Sequence, residues 1–266
     1  MRHPIAPWGV LALAVVQLVA AGVSGTGLLP GDDVGTVSDR QDSALDPAGY
    51  AFAIWGLIYA ASLVLAIHQV TPTRRDDARL APLRAPLLVA FALNGVWIVA
   101  FQQEQFLAAH AVLIALTVAL AVGYARLAAT GRPRSTAERW IVDATLGLYL
   151  GWATVATVAG TSTTLVGVGI TELALPTDAW AVLALLAAAA VIALVTLRGL
   201  PEPGFPLATA WALVAIVVEQ ADPWPLVATA AAAAAVVPVA VLVVRERRIN
   251  RDLGGAIATG AAQRTG

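Results

Sequence analysis

The run PAGYAFAIWGLIYAASLVLAIHQVTPT, residues 47–73, contains no Asp, Glu or Arg. As a helix, about 20 apolar residues cross a hydrocarbon core of about 30 Å. Seven further windows share this character: 3–31, 85–103, 105–125, 144–171, 179–197, 203–218 and 223–244. Ala, Val and Leu dominate them and lie on every side of each helix, as a lipid environment requires. The window 203–218 is the shortest, short enough to be re-entrant. The pattern predicts an all-α fold, a polytopic membrane bundle of eight transmembrane helices.

Composition excludes the main alternatives. Of 266 residues 59% are hydrophobic and 12% charged, against about 25% charged in a soluble domain. A water-soluble enzyme of this size could not coat its surface with so little charge. A net charge of −1 leaves no basic excess for nucleic acid. Cysteine is absent, which removes disulfides, thiolate metal sites and cysteine nucleophiles together. All 16 basic residues are Arg, a usage expected of GC-rich bacterial coding.

The arginines set an orientation. With the N-terminus in the cytoplasm, 15 of the 16 fall on inside segments: Arg2; Arg74, Arg75, Arg79 and Arg84; Arg126, Arg132, Arg134 and Arg139; Arg198; and Arg245, Arg247, Arg248, Arg251 and Arg264. Outside lie Arg40 and most of the acids, among them Asp32, Asp33, Asp39, Asp42, Asp46, Glu104, Glu172, Asp178, Glu219 and Asp222. The positive-inside rule then predicts a multi-pass plasma-membrane protein with both termini cytoplasmic. Omitting the short seventh span would put the last arginine cluster outside. The first apolar run, Ile5 to about Leu29, exceeds the 7–15 residues of a signal-peptide core and reads as a span. The tail beyond Arg245 reads as a helix end followed by disorder.

Spans two, three and five carry aromatic and polar residues at helical spacing, whereas six and eight are almost pure Ala, Val and Leu. The chain therefore reads as a five-helix unit, 1–170, followed by a three-helix extension, 171–266. In the extension, the run Ala230 to Ala235 suits close packing, and Pro238 is expected to kink its helix. Thr177 or Asp178 is the expected N-cap of span six, and Thr161 to Thr164 is read as loop.

Three motifs could carry chemistry. After Asp46-Pro47-Ala48-Gly49, span two sets Phe52, Trp55 and Tyr59 on one face, with Tyr50 at headgroup depth. Span three repeats the spacing with Asn94, Trp97 and Phe101. Span five has Tyr149 and Trp152 beside the small Gly151. Such rings either pack as a belt or line a pocket for a flat ligand. Asn94 either bridges two helices or orients that ligand.

Taken together, these motifs resemble the TspO/MBR family of bacterial tryptophan-rich sensory proteins and the mitochondrial translocator protein. Trp55-Gly56-Leu57-Ile58-Tyr59, Leu93-Asn94-Gly95-Val96-Trp97 and Tyr149-Leu150-Gly151-Trp152 with Ala156-Thr157 match the family's second, third and fifth helices, over about residues 5–165. The chain departs from the pattern at Ala53 and Leu148, where the family has proline, at Tyr50 in place of a tryptophan, and at Gly160 in place of an asparagine. It reads as a divergent, extended member. The resemblance implies a bundle that is often homodimeric, and a pocket near the first outer loop that binds porphyrin or another tetrapyrrole. It assigns the ligand contacts to Trp55, Asn94, Trp97, Tyr149 and Trp152, then to Tyr59, Phe52 and Tyr50.

The remaining ionisable groups read as structural. Asp143 has Arg139 at i−4 and is expected to pair with it at the interface. His68 and His110 fall towards opposite membrane faces, so no metal site is read, and no catalytic set is visible. The leading expectation is a lipid-embedded receptor or carrier for a hydrophobic small molecule, with no cofactor required. Light- and oxygen-dependent porphyrin breakdown and secondary transport are the alternatives. Against transport, paired intramembrane charges and an inverted repeat are missing.

Overall fold

The computed structural model describes residues 6–24, 26, 31–41, 43–170 and 175–265, with side chains as far as Arg245 and at Arg247. Arg2, Asp42 and Glu172, used above for orientation, lie outside the described residues. Eight helices form the bundle: α1 (Ala6–Val23), α2 (Ile54–Val70, entered through the 3-10 turn Gly49–Ala53), α3 (Arg84–Gln102), α4 (Phe106–Ala129), α5 (Thr145–Gly167), α6 (Thr177–Arg198), α7 (Gly204–Gln220) and α8 (Pro225–Thr265). Seven are long and apolar enough to cross a membrane, and α7, at 17 residues, is the shorter eighth. No strand occurs among the described residues.

Helix α7 joins the two ends of the bundle. Its first residue lies on Ala144, before α5, and its last, Gln220, donates Nε2 to the carbonyls of Asp46 (2.9 Å) and Ser43 (3.2 Å). Seventeen residues rise roughly 25 Å, so the segment traverses the bundle rather than turning back. It is wedged between α5 and α8, and α6 packs on α8. The first five helices pack as α1 on α2 and α3, α3 on α4, and α4 on α5.

Glycine makes the α5–α7 approach feasible. A Cβ on Gly151 would stand 2.6 Å from the Phe205 carbonyl oxygen, and one on Gly204 would collide with the carbonyl of Ala144. Backbones this close gain dispersion contacts where lipid supplies no hydrophobic drive between helices. Facing outward, Leu107, Val118, Leu186 and Leu197 form the apolar surface that a bilayer covers.

One end of the bundle is rich in arginine, and there the structure corrects the pairing of Asp143. Its carboxylate is fully buried and accepts two bonds from Arg79 Nη2, at 2.8 and 3.0 Å. Arg139 instead donates Nε to the Pro201 carbonyl, 2.8 Å away. Residues Arg139–Ala144 form a π-helical turn, whose hydrogen bonds close at i+5, so position i+4 no longer lies over position i. Arg134 bridges Asp77 and Glu138. Burial alone would raise the Asp77 pKa, but hydrogen bonds from Arg134, the Arg79 backbone and Arg74 outweigh it and hold the carboxyl low.

Three smaller expectations also change. The N-cap of α6 is Pro176, and Asp178 instead accepts from the Ala179 amide. The threonines from 161 to 164 lie inside α5, where Thr161 and Thr163 hydroxyls bond back to the carbonyls of Thr157 and Ala159. The chain beyond Arg245 continues α8 to Thr265, in keeping with its helix-favouring alanines. Pro238 lies inside that helix.

Candidate ligand site

Trp55 is the hub of an aromatic cluster. Its ring stacks on Tyr59 (centroids 5.4 Å apart, 18° between planes), tilts against Trp97 (5.3 Å), and meets Tyr149 (5.8 Å) and Trp152 (6.0 Å) edge to face. Phe52 stands edge-on to Trp152 at 6.0 Å. Helical spacing puts each set of rings on one face, and packing of α2 against α5 brings the faces together.

The cluster has two layers. Phe52, Trp55, Trp97 and Trp152 line a cavity of about 50 Å³ towards the end carrying residues 31–48. Tyr59, Asn94 and Tyr149 lie about one turn further from that end, each three or four residues along its helix from a lining tryptophan. The Asn94 carboxamide sits beside the Tyr59 hydroxyl rather than reaching the cavity. Tyr50 is not brought in. It is exposed, and packs edge-on against Trp211 of α7 at 5.4 Å.

Several buried polar atoms of the cluster lack hydrogen bonds. Trp55 Nε1, Trp152 Nε1, the Tyr149 hydroxyl and both amide atoms of Asn94 lack a partner of good geometry. Each such group costs about 1–3 kcal/mol when desolvated and unpaired, and native cores tolerate few of them.

The opposite wall of the cavity is polar. Asp46 is buried and accepts from the Thr163 hydroxyl (2.8 Å) and the Ser43 amide (3.1 Å). Burial, aided by the nearby charge of Asp39, raises its pKa despite these bonds and the Ser43 hydroxyl. His110 lies alongside, with Nε2 3.2 Å from the Thr161 hydroxyl and Nδ1 unpartnered. Ala212 and Ile216 of α7 close one side, and Phe101 and Phe106 another. Two larger clefts, of about 390 and 530 Å³, involve outward-facing residues such as Leu57, Trp140, Trp180 and Trp211.

Comparison with protein-family models matches residues 7–244 to the TSPO-like protein family. The chain belongs to that family. The match runs through all eight helices, including α6 to α8. No curated protein and no solved structure matches the chain.

Within this TSPO-like chain, the sequence reading misses Asp46, Thr163, His110, Ala212 and Ile216 as cavity residues. Asp46 heads the first motif but looks like one more acid of an acidic loop. His110 resembles a packing histidine, and small apolar residues on α7 carry no signal at all. Phe101 was legible, because it extends the Asn94–Trp97 face by one further turn. No group of three or more His, Cys, Asp or Glu suited to a metal occurs among the described residues.

Proposed function

We propose that this TSPO-like protein is a membrane receptor or carrier that binds a flat, largely apolar ligand against Trp55, Trp97 and Trp152, with a tetrapyrrole as the class the family resemblance suggests. The observation that carries this reading is the pair of unpartnered buried donors, Trp55 Nε1 and Trp152 Nε1, on two rings that line one aromatic cavity. A ligand with ring nitrogens or carbonyls would supply the missing partners. Stacking on indole faces adds about 0.5–1.5 kcal/mol per ring beyond burial. At about 50 Å³ the cavity has room for a water or two rather than a macrocycle. Binding therefore requires the edge-to-face contacts of Phe52, Trp55 and Trp152 to part, and the cluster is the closed form of the site. The arginine distribution supports a plasma-membrane orientation with both termini cytoplasmic.

Titration of the detergent-solubilised protein with protoporphyrin IX tests the reading. Saturable quenching of tryptophan fluorescence is expected, weakened in Trp55→Ala and Trp152→Ala and retained in Trp140→Phe, which alters an exposed ring. Quenching that never saturates, or that survives both alanine variants, refutes it.

A further inference from the structure

We infer that the cavity selects an organic cation, a flat ring system whose protonated or quaternary nitrogen sits against the Asp46 carboxylate between the aromatic rings. This rests on the reading of the cavity as a ligand site and specifies the charge of its occupant.

The charge inventory of the lining is one-sided. Asp46 is its only carboxylate, no arginine contributes to it, and His110 is its only other titratable side chain. Among the described residues no arginine lies within ion-pair distance of Asp46, whereas Asp143 and Glu138 each meet Arg79; Glu202, buried outside the cavity, is held like Asp46 by amides and a hydroxyl. The Asp46 oxygens accept from the Ser43 amide and the Thr163 hydroxyl, with the Ser43 hydroxyl nearby, and all of these partners are neutral. A buried acid held this way lacks a counter-charge, and one from the ligand would supply it.

The rings act in the same sense. Each aromatic face carries the negative end of a quadrupole, and Phe52, Trp55, Trp97, Phe101 and Trp152 crowd around the cavity. A cation within about 6 Å of such faces is attracted by each well-placed ring. A carboxylate lodged in the cavity is repelled by both Asp46 and the faces, so ionised substituents of a larger ligand stay outside it. The two indole N–H groups, nine-tenths or more buried and unpartnered, then take acceptor atoms elsewhere on the same ligand. The closed volume of about 50 Å³ also favours a compact nitrogen centre as the group that lodges deepest.

Three probes of one shape separate charge from fit: N-methylacridinium, neutral 9-methylanthracene and anionic anthracene-9-carboxylate. They are titrated into the full-length protein in a non-ionic detergent at pH 8, where a histidine of ordinary pKa is neutral. The cation is expected to bind at least about tenfold more tightly than the neutral isostere, and the anion most weakly. Asp46→Asn should abolish that preference, the cation then binding no more tightly than the neutral isostere. Thr163→Val, which removes a hydroxyl and keeps the carboxylate, should preserve the preference and so serves should the first variant fail to fold. Equal binding of cation and isostere by the wild type, or a preference that persists in Asp46→Asn, overturns the inference. If the neutral probe binds saturably and the cation no more tightly, only this inference falls. If neither of these nor protoporphyrin IX binds, the ligand-site reading falls with it.

Discussion

Arg79 Nη2 lies 2.8 and 3.0 Å from the two carboxylate oxygens of Asp143, a partner 64 residues away and fully buried. The bond ties the connection between α2 and α3 to the π-helical turn that precedes α5. Since α5 carries Tyr149 and Trp152, this contact helps set the register of the helix that completes the aromatic cluster. Removing Arg79 would strand a buried carboxylate, at a cost of about 3–5 kcal/mol. Arg79→Ala should therefore lower the unfolding temperature sharply in detergent, and Arg79→Ala with Asp143→Asn should regain much of the loss. An equally unstable double variant would assign the effect to something other than the stranded charge.

Glu202 supplies a pH dependence. Burial pushes its pKa up to about 8, although the amides of Phe205 and Gly204 and the Tyr124 hydroxyl donate to it. The unfolded chain releases this proton near its ordinary value of 4.5. Between those limits the folded protein binds the extra proton, so stability falls as pH rises from about 5 to 8. The unfolding temperature should drop by several degrees over that range, and Glu202→Gln should flatten the profile. An unchanged slope in the variant would place the titrating group elsewhere.

Gly151 should tolerate no side chain. Its Cβ would lie 2.6 Å from the Phe205 carbonyl, whereas Gly95, on the adjacent α3, has nothing within 4 Å. Gly151→Ala is expected to destabilise by about 1–3 kcal/mol through overpacking, and Gly95→Ala to be neutral or slightly stabilising. Thermal unfolding of the two variants side by side checks the contrast.

Helix α7 should matter for binding although it carries none of the recognised motifs. Ala212 and Ile216 close the cavity, and Gln220 holds the carbonyls of Ser43 and Asp46. Gln220→Ala leaves the cavity lining intact but frees the segment that positions Asp46. A several-fold loss of N-methylacridinium affinity with an unchanged helical circular-dichroism spectrum is expected. Wild-type affinity would show that the clamp is dispensable.

The spans, their order and the ring-bearing faces were legible because they rest on local properties. An uncharged run of about 20 residues must become a helix in lipid, and spacing of three, four or seven residues puts Phe52, Trp55 and Tyr59 on one side whatever surrounds them. Residue chemistry alone thus determined that this is a membrane bundle and which helix faces could meet. Tertiary structure decided the partners. Helix packing placed Arg79 rather than Arg139 on Asp143, carried Tyr50 out to Trp211, and left Asn94 one turn below the cavity. It also turned Asp46 from a loop acid into a cavity wall beside Thr163, a residue 117 positions away. Periodicity constrains a side chain's direction around its own helix, but which neighbour fills that direction depends on the close approach of separate helices, and no local pattern encodes that approach.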